Sequence, residues 1–96
     1  IQDITERLLA EASRSRTRFV ILDVTGVDTL DTAIADRILR LLGSLRLLGV
    51  EGMVSGISPH VALTMVGLGI ELDRVQTHRS LREALHYCML QLRRSS

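Results

Sequence analysis

The sequence predicts a small α/β domain with a mostly parallel sheet. Apolar runs of strand length alternate with helical patterns of about ten to seventeen residues, which is typical of βαβ units. The chain has 96 residues, of which 46% are hydrophobic, enough for one domain with its own core. The core is expected to be aliphatic, because Phe19 and Tyr87 are the only aromatic residues.

The first half of the chain contains two predicted helices around one predicted strand. A helix is predicted over 1–15, where Ile4 and Leu8 recur at helical spacing. The segment 19–24 is a continuous apolar run with β-branched and aromatic residues, which predicts a strand buried on both faces. The next helix is predicted over 32–48.

Turn and capping residues delimit the second half. Gly49 is placed to end the long helix in a left-handed conformation, and a short strand is predicted over 52–55. Ser58 and Pro59 suit the N-cap and first position of a third helix over 59–68. Last come a weaker strand over 73–77 and a helix over 81–93, which a capping-box pattern of Ser80 with Glu83 begins.

Composition argues against several classes of function. The net charge is +1, with 12 basic and 11 acidic residues, so nucleic acid is not the expected partner. No apolar run approaches the ~20 residues that span a bilayer, and the polar start of the chain is not a signal peptide. Cys88 is the only cysteine, which leaves no disulfide framework and fits a reducing cytoplasm.

Catalytic and metal-binding motifs are not found in the sequence. His60, His78 and His86 fall in three separate predicted segments without a metal-ligand spacing. Cys88 lies within a predicted helix, where a small buried hydrophobic role is expected. We therefore predict neither a cofactor nor a metal at these residues.

Four aspartates surround the junction between the first strand and the long helix: Asp23, Asp28, Asp31 and Asp36. Acids at the carboxyl end of a parallel strand could bind Mg²⁺, as in a phosphoryl-transfer enzyme. The structural interpretation is favoured, in which Asp31 caps the helix and Asp28 stabilises the turn.

Thr32 stands at the start of the long helix, as a cap or a first-turn residue. A phosphate there would face unpaired backbone N–H groups and the positive end of the helix dipole. It would add about −2 charge beside Asp28 and Asp31. From the residues alone, a helix cap is the favoured role, because hydroxyl caps are common.

At this junction the sequence resembles a known family. The segment 21–27, followed by Leu30-Asp31-Thr32, resembles the phosphorylation-site motif of STAS domains, which include anti-sigma-factor antagonists. Later segments resemble, in order, the stressosome branch with its R-type co-antagonists and S-type antagonists: RLLGV over 46–50, SGISP over 55–59, ALT over 62–64 and LGIEL over 68–72.

The resemblance implies a STAS fold, with helices mainly on one face of a mixed sheet, and a regulatory function without enzymatic activity. Thr32 would be the main phosphoacceptor and Thr64 a second one. A switch protein kinase would bind this surface, phosphorylate it and leave, and the freed kinase would activate a phosphatase that controls the general stress response. Other STAS-domain stressosome subunits are the further partners expected, in a homo- or hetero-oligomer in the cytoplasm.

The partner-binding surface implied in this way comprises six residues: Asp28, Asp31, Thr32, Asp36, Arg37 and Arg40. Asp31 would orient the loop. Arg37 and Arg40 lie one and two turns farther along and would meet acidic partner residues, although a solvated helix face explains them equally well.

Two departures from the family pattern affect domain organisation. STAS domains open with a strand pair before the first helix, whereas this chain begins within that helix, and R-type proteins carry an N-terminal sensor domain. The chain 1–96 is therefore expected to be a single STAS domain that lacks its first strands and such a sensor. The sequence Asp31-Thr32-Ala33 replaces the Ser-Ser-Gly of ordinary antagonists, which favours the stressosome branch.

Three alternatives remain open at this point. The first is a simple anti-sigma-factor antagonist that binds an anti-sigma kinase and is monomeric. The second is the cytoplasmic STAS domain of an anion transporter. The third is an enzyme that uses the aspartate cluster with Mg²⁺.

Overall fold

The computed structural model describes residues 2–69 and 75–95 of the chain. The elements found there agree with the predicted ones to within one residue, except for the last strand. In chain order they are α1 (Gln2–Arg14), β1 (Phe19–Asp23), α2 (Thr32–Leu47), β2 (Glu51–Ser55), α3 (Pro59–Gly67), β3 (Thr77–His78) and α4 (Leu81–Arg94).

The three strands form a parallel sheet in the order β1-β2-β3. Phe19 lies opposite Glu51 at the start of the β1–β2 ladder, and Asp23 lies opposite Ser55 at its end. We call the side of the sheet where strands begin the amino edge, and the side where they end the carboxyl edge. Because the strands are parallel, loops that follow a strand meet at the carboxyl edge.

The third strand differs from its prediction. It was predicted over 73–77, and it is found at Thr77–His78, where Ser55 pairs with His78. The backbone N–H of Val54 donates to the carbonyl of Gln76 at 2.9 Å, so the hydrogen bonds begin just before the strand. Residues 73 and 74 of the predicted strand lie outside the described residues.

Two aliphatic clusters join α1, α2 and α3 on one face of the sheet. In the first, Leu45 of α2 is fully buried against α1 and the strands; its members are Ala12, Leu45 and Val50, with Leu9, Val20 and Leu41 packed around them. The second joins α2 to α3 through Leu30, Ala35, Val61 and Met65.

Helix α4 covers the opposite face. Phe19 and Ile21 alternate with Val20 along β1 and pack against a cluster of Met53, Ala84 and Cys88. The Cys88 sulfur lies 3.8 Å from that of Met53, and Cys88 is buried, as predicted for a small hydrophobic residue. Three of the four described helices thus lie on one side of the sheet, and the predicted α/β STAS fold is confirmed.

Strand β1 is less buried than its apolar sequence predicts. Helices cover both of its faces, but its first four residues are only half-buried and Asp23 is exposed. The reason is its place at the end of the sheet: among the described residues β1 pairs with β2 alone. An edge strand exposes side-chain area that a neighbouring strand would otherwise cover.

Capping side chains define where the helices begin, and glycines define where two of them end. The Ser58 and Ser80 hydroxyls accept hydrogen bonds from the backbone N–H groups of Val61 and Glu83 at 3.2 and 3.1 Å, as predicted. Gly49 follows α2 with φ of 78°, the left-handed stop expected of it. None of the helices in the described ranges has both the length and the apolar character that a bilayer crossing requires.

Candidate phosphoacceptor site

Asp31, and not Thr32, caps helix α2. The Asp31 carboxylate accepts a hydrogen bond from the backbone N–H of Ile34 at 2.8 Å, so the cap role favoured for Thr32 from sequence is wrong. Thr32 is the first residue of the helix and is exposed. Its hydroxyl makes no hydrogen bond within the part of the chain that the structure describes, and it is therefore accessible and unengaged.

The helix start around Thr32 favours negative charge. Asp31 uses its carboxylate for the Ile34 N–H and its carbonyl for the Ala35 N–H, the latter at 3.0 Å. The N–H groups of Thr32 and Ala33 precede these and have no partner within an α-helix. A phosphate on Thr32 would lie beside these donors, at the positive end of the α2 dipole.

Two further acids flank Thr32. Asp28 is exposed in the loop before the helix, and Asp36 lies one turn along α2, on the same side of the helix as Thr32. The Asp36 carboxylate accepts from Arg40 at 2.7 Å in an exposed i,i+4 ion pair. Arg37 is exposed on the solvent side of α2. The structure thus groups Thr32 with acidic residues. Arg37 and Arg40 lie next to this group, on the exposed surface of α2.

The loop before α2 is anchored at the carboxyl edge by Asp23. One carboxylate oxygen of Asp23 accepts hydrogen bonds from the hydroxyls of Ser55 and Thr25, both at 2.8 Å. Ser55 is fully buried, and its carbonyl accepts from the N–H of Val24 at 2.9 Å. These hydroxyl bonds, chiefly that of Ser55, hold the pKa of Asp23 below its ordinary value.

Gly56 is required next to this anchor. Its φ of 77° is in the left-handed region, and a Cβ at this position would lie 2.0 Å from the Thr25 hydroxyl oxygen and 3.1 Å from the Thr25 Cα. Only glycine allows the two loops to approach this closely without strain.

A groove of about 990 Å³ runs along α2 from Thr32 toward Arg46. Thr32 and Asp36 lie at one of its ends, and the half-buried Leu39 and Leu42 lie between them and Arg46. Its other walls are the start of β2, the end of α3 and the segment before β3: Gly49, Val50, Glu51, Gly52, Leu68, Gly69, Val75 and Gln76.

Thr64, the second predicted acceptor, lies in a different environment. It is half-buried in the middle of α3, and its hydroxyl donates to the backbone carbonyl of His60 at 3.0 Å. A kinase would have to break this bond and turn the side chain outward. The hydroxyl of Thr64 is therefore less accessible than that of Thr32 in this conformation.

The aspartates of the junction have different partners and do not converge. Asp23 binds two hydroxyls, Asp31 caps α2, and Asp36 pairs with Arg40. Within residues 2–69 and 75–95, no three His, Cys, Asp or Glu side chains come together in a way that could hold a metal ion.

Sequence reasoning did not find Thr25 and Ser55 as site residues. Ser55 is 32 positions from Asp23 along the chain, and it was noted as the end of a predicted strand and the start of the SGISP segment, without a role at the site. The available signal was topological, because residues that end neighbouring parallel strands lie side by side.

Comparison of the sequence with known proteins identifies the family to which it is similar. The STAS domain family matches residues 1–84. Similar relatives in Bacillus subtilis (strain 168) are the RsbT co-antagonist proteins RsbRD (39% identical over 85% of this chain), RsbRA (37% over 85%) and RsbRB (36% over 88%). The chain spans about 30% of the length of each of these relatives.

Proposed function

Because the chain belongs to the STAS domain family and is homologous to RsbT co-antagonists, we propose that it is a regulatory, protein-binding module of a stressosome. In this role it binds and sequesters a switch serine/threonine kinase of the RsbT type and is phosphorylated on Thr32. It has no catalytic activity of its own. It is one domain of a longer protein whose other parts receive the stress signal.

The observation that carries this proposal is the state of Thr32. Its hydroxyl is exposed and unengaged in the described residues, and the capping bond that it could have made is made by Asp31. A kinase can therefore reach the Thr32 hydroxyl without breaking the hydrogen bond that caps the helix. Asp23 supports this arrangement, since its bonds to Ser55 and Thr25 fix the path of the loop that leads to Thr32.

The kinase would bind the exposed residues around the acceptor. The acids Asp28 and Asp36 offer negative charge on either side of Thr32, and Arg37 offers positive charge on the adjoining stripe of α2. Exposed charges of this kind set the orientation and association rate of a partner more than its affinity. The groove along α2 adds apolar area beside them.

Phosphorylation would release the kinase through charge. A phosphate adds about −2 charge to a surface that already carries Asp28, Asp31 and Asp36. The product of the reaction therefore repels the phosphates and acidic groups of the kinase site, while the N–H groups at the start of α2 hold the new phosphate in place. The freed kinase is then available to a downstream phosphatase of the stress response.

The test is phosphopeptide mass spectrometry of the native protein before and after stress, alongside two variants. We expect stress-dependent phosphate on Thr32, its loss in Thr32→Ala, and its persistence in Thr29→Ala, which removes an exposed threonine from the same loop. Kinase capture by pull-down should weaken when Thr32 is phosphorylated. If the peptide containing Thr32 is well covered and never carries phosphate, the proposed switch is wrong.

A further inference from the structure

The groove along α2 contains one glycine that the packing of this chain does not explain. Its walls include Gly43, Gly49, Gly52 and Gly69. Gly49 and Gly69 have φ of 78° and 76°, a conformation that favours glycine. A Cβ at Gly52 would crowd the Leu42 side chain at 2.9 Å. Gly43 has neither reason, because its backbone is helical and a Cβ there would meet no packed neighbour within 4 Å among the described residues.

Gly43 lies within α2, where glycine does not serve the stability of the chain itself. Glycine is the weakest helix former after proline, since it loses the most backbone freedom on folding. Where α2 needs a small buried side chain it has alanine, at Ala35. Gly43 is exposed, so the missing side chain leaves a bare stretch of helix on which the backbone of a second molecule can lie closely.

Apolar side chains adjoin this bare stretch. Leu39 and Leu42 are half-buried on α2, one turn and one residue before Gly43. Leu68, which also lines the groove, is 40% exposed. An apolar segment in the groove would remove the rest of these leucine side chains from water, which favours binding.

The charge left without a partner in the groove is positive. Arg46 is exposed near the far end and makes no ion pair within the part of the chain that the structure describes. The groove also contains Asp36 and Glu51, but Asp36 pairs with Arg40, and Glu51 accepts a hydrogen bond from Tyr87. A carboxylate on the bound segment therefore complements Arg46.

The dimensions of the groove favour an extended segment over a helix. From Thr32 to Arg46 it follows α2 for about 21 Å by helical rise, which an extended segment of about six residues spans. Its volume of about 990 Å³ over that length gives a mean cross-section of about 47 Å². A helix with its side chains is about 10–12 Å across and does not fit such a section.

We propose that the switch kinase of the proposed function docks in this groove through an extended segment. The segment packs apolar side chains on Leu39 and Leu42, passes closely over Gly43 and places a carboxylate on Arg46. This docking rests on the proposed function and adds to it a binding site that is separate from the acceptor hydroxyl of Thr32.

The arrangement separates binding from phosphoryl transfer. Thr32 lies at one end of the groove, and Gly43 and Arg46 lie toward the other, so the residues that hold the segment do not touch the reacting atoms. Substitutions at these two positions should raise KM for the protein as a kinase substrate and leave kcat unchanged, because they remove binding that is equal in the ground state and the transition state.

The test measures binding of a purified RsbT-type kinase from the same organism to the native protein, and phosphorylation of Thr32. Gly43→Leu fills the groove and should raise Kd and KM at least tenfold at unchanged kcat. Gly43→Ala adds one methyl group and should raise both about twofold. Each variant should melt at or above the temperature of the wild type, because leucine and alanine form helices better than glycine. Lost binding then cannot be ascribed to unfolding.

Gly67→Leu is the matched control. Gly67 is the last residue of α3, is exposed, and a Cβ there also meets nothing within 4 Å, but it does not line the groove. It should bind the kinase as the wild type does. Arg46→Glu should raise Kd about fivefold at low salt and less at about 500 mM, since exposed charges are screened. Arg7→Glu, an exposed arginine of α1, should leave Kd unchanged.

The outcomes distinguish the docking from the proposed function. If the wild type is bound and phosphorylated on Thr32, but Gly43→Leu has the Kd and KM of Gly67→Leu, the docking is wrong and the proposed function stands. If the kinase neither binds nor phosphorylates the wild type, both are wrong. A rise of Kd and KM in Gly43→Leu alone, at unchanged kcat, supports both.

Discussion

The carboxylate of Asp23 holds the loop before α2 in place by accepting hydrogen bonds from the hydroxyls of Ser55 and Thr25. The sequence placed Asp23 in an aspartate cluster with a possible metal or structural role. It did not indicate Ser55 or Thr25 as partners, because their proximity depends on strand register and on the close approach of Gly56. Long-range side-chain pairs of this kind follow only once the sheet is assembled.

The depressed pKa of Asp23 predicts a pH-dependent effect of Ser55→Ala. A carboxyl whose pKa is lower in the folded state contributes stability above its unfolded pKa, about 3.9, and loses it as the pH falls through the folded value. We therefore expect Ser55→Ala to destabilise the domain clearly in urea unfolding near pH 6, and by a smaller amount once the pH has fallen through the folded pKa of Asp23. The variant Ser44→Ala removes an exposed hydroxyl that donates to a backbone carbonyl, and it should show no such pH dependence.

Gly56 should tolerate substitution less well than Gly26. Both have positive φ, but a Cβ at Gly26 meets nothing within 4 Å, whereas one at Gly56 collides with Thr25. Gly26→Ala should cost about 1 kcal/mol of unfolding free energy from backbone strain alone, and Gly56→Ala at least about 2 kcal/mol because overlap is added. Equal losses in chemical denaturation would contradict the predicted collision.

At the scale of elements, local side-chain chemistry predicted helix boundaries well. Ser58 and Ser80 cap the helices for which they were proposed, and α2 begins and ends within one residue of its prediction. Strand β3 was misplaced because a two-residue strand is defined by its partner and not by its own sequence. Strand β1 was identified correctly, but its exposure depends on its neighbours, which its sequence does not encode.

The capping assignment makes Asp31 and Thr32 separable by mutation. Asp31→Ala removes the acceptor for the Ile34 N–H and should lower the unfolding free energy by about 1 kcal/mol. Thr32→Ala should change it by less than about 0.5 kcal/mol, because the side chain packs against nothing essential at the surface. Thermal or urea unfolding of both variants provides the measurement. If Thr32→Ala lowered the unfolding free energy as much as Asp31→Ala does, the assignment of the cap to Asp31 would be wrong.

At the scale of the whole molecule, the helices cover the sheet unequally. Helix α4 alone among the described helices packs on the face that carries Phe19 and Ile21, and Met53 is completely buried beneath it. The alternation of helices and strands predicted the fold class, but it did not assign α4 to a face. Helix α4 occupies the face of the sheet that α1 and α2 leave uncovered.

The thiol of Cys88 should report on the opening of this interface. Cys88 is buried between α4 and the sheet, and burial raises the pKa of its thiol, which disfavours the reactive thiolate. We expect negligible labelling by a thiol reagent in native buffer and complete labelling in urea, with the midpoint following loss of helical circular dichroism. Rapid labelling of the native protein would show that α4 detaches independently of the rest.

The hydrogen bond between Tyr87 and Glu51 gives the molecule a built-in optical probe. The chain has one tyrosine and no tryptophan, so the phenol absorption band of the near ultraviolet and the phenol fluorescence arise from Tyr87 alone. Its phenol donates to Glu51 at 2.5 Å, and this bond and the nearby charge raise the pKa of Tyr87 above its ordinary value. Ionisation of this single chromophore can thus be followed without any label: the native protein should form phenolate at higher pH than the unfolded chain, and the stability that this bond provides should fade as the pH rises through the folded pKa.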